Sequence, residues 1–341
     1  MVRWAEATDE YVEPAEPVID IDESKRRRRG GRGLGFVMWV LGLAFVAYAV
    51  VRILSLETTA LLVGAMAVTP YAAAAGLLLT LITVGVGRRL LAVVLLVATL
   101  ALGALMTPRI LSEEQPQATG DHLRIMAANL RLGHGDARTI VDLVRRQQID
   151  VLALPELTPA AVSALDRAGL ADALPYRVFD ARPGADGSGI AANVPLRQVI
   201  LVEESILSQP SVVVDRPGNE DLELTAVHVQ PPIEAEDVNT WRRELNELPR
   251  PTPSERVRIL AGDFNASLDH AAFRDVVDHG YADAGEETGE GMTSTWADWP
   301  LGPPLTIDHI LADARCAISS YAVFDLPGSD HNAIMAEIVL P

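Results

Sequence analysis

The chain has 341 residues, 49% of them hydrophobic, and a formal net charge of −18. An acidic balance of that size repels polyanions and argues against a duplex-binding protein, whose affinity rests on neutralising phosphates. The one cysteine, Cys316, excludes an internal disulfide and any cysteine-rich metal site, and reads as a small packed residue.

Residues 1–32 read as a disordered cytoplasmic tail, acidic up to residue 23 and ending in a basic cluster of Lys25, Arg26, Arg27, Arg28, Arg29 and Arg32. A membrane region is expected over 33–107. Its uncharged runs, 33–51, 58–87 and 90–107, approach or exceed the ~20 residues that cross a bilayer as a helix, which gives three transmembrane helices. The middle run is overlong, so it is expected to tilt, to kink at Pro70 or to begin in the interface. A cleaved signal peptide does not fit, because the basic cluster lies near residue 25 and further spans follow. The cluster falls on the same side as Arg88 and Arg89, with only Arg52 and Arg109 on the other. The positive-inside rule therefore places the N-terminus in the cytoplasm and the region after the third span outside the cytoplasmic membrane. Two spans instead of three would turn that region inside. Residues 108–121 mix Pro, Glu, Gln and Gly and read as a linker.

Residues 122–341 are long enough for one well-buried domain. A strand is expected over 122–130, then a helix capped by Asp136 with Ile140, Val141 and Val144 as its apolar stripe, then a strand over 149–157. Further strands are expected at 176–180, 188–193, 198–203, 211–215 and 222–229. A helix at 237–247, a strand at 257–262, a helix at 269–278 and strands at 305–312, 316–324 and 333–339 complete the pass. No internal repeat is visible. Helices separated by many short strands fit an α/β class with sheets packed face to face and helices outside.

Apolar strands in this domain repeatedly finish in a chemically useful residue: Asn129, Glu156, His228, Asp263 with Asn265, Asp308, and Asp330 with His331. Strand ends and the adjoining loops are where a rigid scaffold presents reactive groups. In "RILAGDFNAS", 258–267, period-two geometry puts Asp263 and Asn265 on one face and Phe264 on the other if the chain stays extended. The same spacing suits an Asx turn that only caps backbone amides, and this stretch alone does not choose between them. His228, flanked by Val227 and Val229, has a satisfied core histidine as its alternative reading. His309 reads as a core residue, because alternation turns it away from Asp308, and His134 as a turn residue. Trp241, Trp296 and Trp299 suit packing or a lipid-facing rim. Neither a serine-centred elbow nor a cysteine nucleophile is present. Carboxylates and amides are hard oxygen donors suited to Mg²⁺ or Mn²⁺, whereas a zinc site would call for closely spaced histidines, which are absent.

Taken in order, "ANL" (128–130), "LPEL" (154–157), "HVQP" (228–231), "GDFNAS" (262–267), "IDHIL" (307–311) and "GSDHNAI" (328–334) resemble the motifs of the endonuclease/exonuclease/phosphatase superfamily over about residues 123–339. The resemblance implies a four-layer α/β/β/α sandwich, DNase I-like, with the site on one rim of two packed sheets. It implies that Glu156 binds the metal, with Asn129 and Asp330 beside it. Asp263 corresponds to the residue that orients or deprotonates the attacking water, Asn265 to the amide on a phosphate oxygen, and Asn129 also lies near the phosphate. His331 corresponds to the histidine at the scissile phosphate, Asp308 to its orienting partner, and His228 to a second histidine on the phosphate or leaving group. Two positions depart from the pattern: Pro155 stands where the family usually has Gln, and Ala333 where many members have Pro.

Three spans joined to this domain resemble bacterial membrane proteins associated with glycopeptide-antibiotic resistance. That resemblance implies a metal-dependent phosphodiesterase or phosphatase acting on a phosphate-containing small molecule or a lipid-linked phosphate or pyrophosphate of the cell envelope. An extracellular nuclease and a catalytically inactive, membrane-tethered binding domain are the alternatives. The acidic charge disfavours nucleic acid as a partner, and the oligomeric state is not legible.

Overall fold

The computed structural model describes residues 21–297 and 302–341, with side-chain surroundings for Gly33 and from Gly35 onward. Residues 1–20, most of the expected tail, and Trp299 lie outside the described residues. Four helices come first: α1 (Ile21–Ile53), α2 (Ala60–Ala67), α3 (Thr69–Gly85) and α4 (Arg89–Met106), the last continued by a 3-10 turn, Thr107–Ile110. The basic cluster, expected in a disordered tail, thus lies within α1. Two stretches, Gly35–Ile53 and Arg89–Ile110, are long and apolar enough to cross a membrane; α2 and α3 form a pair bent by 74°.

The bend has a local cause. Pro70 sits at the start of α3 and has no backbone N–H to give the preceding turn. The carbonyls left over are taken by side chains: Thr69 Oγ1 donates to the Met66 carbonyl at 2.7 Å, and Tyr48 Oη to that of Ala65 at 2.9 Å. Helix α3 is about 26 Å long at 1.5 Å per residue, slightly short of a ~30 Å hydrocarbon layer. It packs on α1 where Gly76 lies under the Phe45 ring; a Cβ there would approach that ring to 2.1 Å.

The remaining chain forms β1 (His122–Ala127), α5 (Ala137–Arg146), β2 (Val151–Pro155), α6 (Pro159–Ala168), α7 (Leu170–Ala173), β3 (Tyr176–Asp180), β4 (Ser188–Ala192), β5 (Leu196–Val199), β6 (Ser211–Val214), β7 (Leu222–His228), α8 (Asp237–Glu247), β8 (Arg258–Asp263), α9 (Ala271–Asp278), β9 (Tyr281–Asp283), α10 (Ala284–Glu287), β10 (Asp308–Asp313), β11 (Ala317–Phe324) and β12 (Ala333–Val339). One sheet has the order β11-β12-β1-β2-β4-β3, the other β5-β6-β7-β8-β10-β9. Each has one parallel pair at its centre, β1 with β2 and β7 with β8.

Small aliphatic side chains from both inner faces, among them Ile125, Ala153, Ala226, Ala261 and Cys316, fill the space between the sheets. Ile140, Val144 and Leu165 of α5 and α6 cover the outside of the first sheet. Trp241 of α8 and Phe273 of α9 cover the second, joined by Val63 of α2. This is a four-layer α/β/β/α sandwich of DNase I-like type, carrying apolar helices at its N-terminal end.

Several elements differ from the sequence reading. Helix α6 was not expected, although Thr158 accepts a hydrogen bond from the Ala161 amide as N-cap, Pro159 opens the helix and Gly169 closes it in the left-handed region. Those are ordinary helix boundary signals; the strand reading of 149–157 stopped just short of them and no helix was expected to follow. Strand β5 begins two residues before its expected start at 198, and the short β9 and α10 were not expected. Along the expected linker, successive contacts tie the chain to the domain. The Arg109 carbonyl accepts from the Gly291 amide at 3.0 Å, the Glu113 amide donates to the Glu287 carbonyl at 3.0 Å, and Gln115 Oε1 accepts from the Ile318 amide at 2.7 Å.

Candidate active site

The two parallel pairs end on the same rim, and register brings their last residues together. His228 and Asp263 are direct cross-strand partners, as are Asp263 and Asp308 on the other side of β8. The residue before Asp263 must be glycine. Gly262 has φ +148°, and a Cβ would stand 2.1 Å from the Val227 carbonyl oxygen. Left-handed backbone clusters here too: of the six non-glycine residues with positive φ among the described residues, Arg131, Leu132, Glu156 and Asn265 lie at this rim. Such conformations persist only where surrounding contacts hold them, as around reactive groups.

Asn129 is the bracket of the site. Its Nδ2 donates to Glu156 Oε1 at 3.1 Å and to Asp263 Oδ2 at 3.0 Å, while its Oδ1 accepts from the Arg131 amide at 2.9 Å. Acting as a metal ligand would require this carboxamide to turn over and give up both carboxylates. Glu156 Oε2 accepts from the Leu132 amide at 2.6 Å, and Oε1 lies 3.9 Å from His228 Nε2. Asp263 Oδ2 is 4.0 Å from His228 Nε2 and 3.7 Å from His331 Nε2. Behind His331, Nδ1 meets Asp308 Oδ2 at 2.9 Å. Asp308 is fixed by Thr295, whose Oγ1 accepts from the amides of Ile307 and Asp308.

The eight residues singled out in the sequence therefore meet on one rim. Asn265 donates its backbone N–H to Asp263 Oδ1 at 2.8 Å, which is an Asx-type contact, and one side-chain N–H to the Val229 carbonyl. The Asx contact is therefore present, and because β8 ends at Asp263 and Asn265 is left-handed at φ +47°, the extended period-two geometry expected here is not what places the two side chains. Asp330 sits at the edge, 3.7 Å from Arg131 Nε. Pro155, in the position of the family's Gln, ends β2 and accepts the Leu130 amide at its carbonyl. His309 points away from the site, between Asp283 and the Ala266 carbonyl, and Trp241 is buried in the outer layer. Residues not anticipated are Arg131, the Leu132 amide, Thr295, and Ser329, whose hydroxyl donates to the Asn129 carbonyl at 2.9 Å. Nothing local in the sequence marks Thr295 or Ser329; their roles come from the fold.

Burial works differently on each titratable group. Burial and the neighbouring Asp308 push the Asp263 carboxyl up to about 7. Burial opposes charging of His331 as well, but the Asp308 and Asp263 carboxylates outweigh it and raise the imidazole to about 10. His228 has no such carboxylate partner in hydrogen-bond range, and burial holds it neutral, down to about 3. Its Nδ1 is buried without a well-formed hydrogen bond. Opposite shifts on two histidines that both face Asp263 Oδ2 separate an imidazolium donor from a neutral imidazole.

The donor set fits a divalent cation. Glu156, Asp263, Asp308 and Asp330 share the rim, and Arg131 is the only arginine or lysine within ion-pair distance of any of them among the described residues. Ligand atoms of Asp263, Asp308 and His331 lie within 4.8 Å of one another. His331 and Arg131 do not balance four carboxylates, and a hard cation does.

Two packed sheets with acids, amides and two histidines on one rim define the class: a DNase I-like α/β sandwich. A family model described as "Endonuclease/Exonuclease/phosphatase family" matches residues 126–331, and the chain belongs to that family, whose members are phosphoester hydrolases that generally depend on a metal. The fold recurs in solved structures. An endonuclease/exonuclease/phosphatase from Beutenbergia cavernae is 18% identical, over 64% of this chain and 72% of its own, with a TM-score of 0.50. D. rerio TDP2 humanized by 14 mutations is 18% identical, over 64% and 98%, also with a TM-score of 0.50. No curated protein matches the sequence.

Proposed function

We propose that this protein is a membrane-anchored, Mg²⁺- or Mn²⁺-dependent phosphodiesterase or phosphatase, acting on a phosphoester or pyrophosphate carried by a small molecule or an envelope lipid. The observation that carries the reading is two hydrogen-bonded groups that face each other, Glu156–Asn129–Asp263 and His331–Asp308, with Asp263 Oδ2 3.7 Å from His331 Nε2.

In this reading Glu156 and Asp330 hold the metal, with Asn129 keeping Glu156 and Asp263 apart at fixed distance. When bound, the metal draws charge from a phosphoryl oxygen. Asp263 takes a proton from the attacking water; a carboxylate with raised proton affinity is a better base near neutral pH than a solvated one. As the new P–O bond forms, the bond to the leaving oxygen breaks. His331, charged and braced by Asp308, stabilises the phosphoryl oxygens and supplies the proton that the departing oxygen takes up, so that the proton Asp263 gains from water and the one His331 loses balance. His228, neutral, donates or accepts at Nε2 on the leaving-group side. Asn265 has a second side-chain N–H free of Val229 for a phosphate oxygen.

The helices support a location as well. Arg88 lies over Gly35 at one end of the bundle, whereas Arg52, Tyr71 and Arg109 contact the catalytic domain at the other. With α1, α3 and α4 as three crossings, the N-terminus and the Arg88-Arg89 turn share the cytoplasmic side, and the domain is extracytoplasmic in the cytoplasmic membrane. A domain held at the bilayer surface with strong negative charge favours lipid-linked or small phosphates over nucleic acid. The likeness to glycopeptide-resistance-associated membrane proteins points the same way.

The test is turnover by the full-length protein in detergent or nanodiscs with Mg²⁺ and Mn²⁺, on bis-p-nitrophenyl phosphate, a polyprenyl diphosphate and plasmid DNA. Metal-dependent cleavage of the first two, lost in Asp263→Ala and His331→Ala, is expected. Cleavage of DNA alone overturns the substrate class, and no turnover of any of them leaves a binding domain. A reporter fused after Pro341 reads the sidedness independently.

A further inference from the structure

The loop that follows the catalytic strand, 264–270, carries Asn265 and ends at α9. Its far end is held by the membrane helices. Asp269 is buried, 1% exposed, and its carboxylate takes two bonds from Arg109, NH1 to Oδ2 at 2.8 Å and NH2 to Oδ1 at 3.0 Å. A third comes from Arg52 Nε at 2.9 Å, and Arg52 also reaches the Leu268 carbonyl at 3.4 Å. Both guanidinium groups are almost wholly buried, 3% and 4% exposed. Arg52 stands in the last turn of α1, and Arg109 in the turn that continues α4. The segment between α1 and α3 adds two more ties: His270 Nε2 meets the carbonyl of Val63 in α2 at 2.9 Å, and Glu57 Oε1, before α2, accepts the Ala271 amide.

A buried carboxylate shared by two buried arginines is a poor source of net stability, because desolvation offsets most of the attraction. It does fix geometry, since a bidentate arginine contact tolerates little rotation. Contacts hold the segment between Asp263 and Asp269 along its length: the Phe264 amide donates to the Ile307 carbonyl, the Asn265 amide to Asp263 Oδ1, the Ala266 carbonyl meets His309 Nε2, and the Ser267 amide donates to His270 Nδ1.

Building on the proposed hydrolase reading, we infer that Asp269 is a positioning residue: through Arg52 and Arg109 the ends of the first and last transmembrane helices set the loop that presents Asn265 to the phosphate. The membrane bundle is then part of the catalytic scaffold and not only a tether.

The experiment is a double-mutant cycle in the full-length protein in nanodiscs. Arg52→Gln removes the α1 link and leaves the bidentate Arg109–Asp269 pair, so the fold is kept, as a melting curve verifies; Arg52→Lys, which keeps the charge, is the second variant. Arg52→Gln is expected to lower kcat on bis-p-nitrophenyl phosphate about tenfold with KM within about twofold, and to do almost nothing in an Asn265→Ala background, the non-additivity of coupled neighbours. Arg52→Lys is expected to recover part of the loss. Equal losses with and without Asn265, or no loss at all, overturn the inference. Hydrogen exchange provides a readout independent of turnover: amides from Asn265 to Asp269 are expected to exchange about tenfold faster in Arg52→Gln, with α5 unchanged. If the unsubstituted protein hydrolyses nothing, the hydrolase reading falls, and exchange alone decides the clamp; unchanged exchange at Asn265 overturns it.

Discussion

The two rims of the sandwich are both acidic, yet they treat acid in opposite ways. At the rim away from the site, carboxylates have arginine partners: Glu223 with Arg258 at 2.7 Å, Asp313 with Arg315 at 2.6 Å, Asp121 with Arg216 at 2.7 Å. At the site rim Glu156, Asp263 and Asp308 meet only amides, hydroxyl-braced backbone and histidines, and Asp330 has a single arginine at 3.7 Å. The difference teaches where charge is left uncompensated on purpose. Arginine neutralises a carboxylate permanently; an incomplete set leaves room for a cation and a reacting phosphate.

The largest way to break that contrast is to remove its reactive members. Asp263→Asn is expected to reduce kcat/KM about 10³-fold or more, within the scale of lost general-base catalysis, while the melting temperature in the absence of metal stays equal or rises, since burial and Asp308 already strain that carboxylate. A fall in melting temperature equal to that of a core deletion would contradict the reading.

Glu156→Gln is expected to weaken Mg²⁺ binding about 100-fold or more, read as loss of the Mg²⁺-dependent rise in melting temperature. A cation held by Glu156 and Asp330 would favour the charged form of the nearby Asp263, whose proton affinity is raised to about 7, so in the unsubstituted protein that rise should be larger at pH 8 than at pH 6. A shift independent of pH would remove Asp263 from the metal's neighbourhood.

Asp308→Asn targets the histidine. Its imidazole, raised to about 10 against an ordinary 6.5, contributes stability that is fully present below pH 6.5 and is lost as pH climbs through 10. The substitution is expected to lower that titration by several units in an NMR pH series and to cut kcat about 100-fold. An unchanged midpoint would mean that Asp308 does not hold the proton there.

At the opposite rim the smallest effect is expected. Arg258→Gln should leave kcat and KM within about twofold and reduce stability by about 1 kcal/mol, the scale of a partly exposed ion pair. A loss of activity as large as at Asp308 would erase the distinction between the rims.

The sequence announced most of this site, because each strand that ends in a polar residue reports its own chemistry locally. Asn129, Glu156, His228, Asp263 and Asn265 follow apolar runs of strand length, and strand alternation turned His309 away from Asp308. Asp308 and Asp330-His331, expected to finish strands, instead stand at the start of β10 and in the turn before β12, which run antiparallel to β8 and β1 and so begin on the rim where those strands end. Helix α6 was legible as well, in Thr158, Pro159 and Gly169, but the adjoining apolar strand masked it. Residues that act through others were not legible. Thr295 and Ser329 are common polar residues in loops, and only tertiary contacts give them Asp308 and Asn129 as partners.

By itself, then, the sequence determined the composition of the chemistry, the alternation of sheet and helix, and apolar runs long enough to cross a membrane, because charge, period and hydropathy are properties of neighbouring residues. Tertiary structure alone decided that Asn129 braces two carboxylates instead of standing free, that one histidine is charged and the other neutral, and that α2 joins the outer layer of the domain. It also turned Arg52 and Arg109, which in the sequence are two isolated charges at span ends, into partners of one buried aspartate. Those outcomes depend on burial and on distances between segments far apart in the chain, which no local pattern encodes.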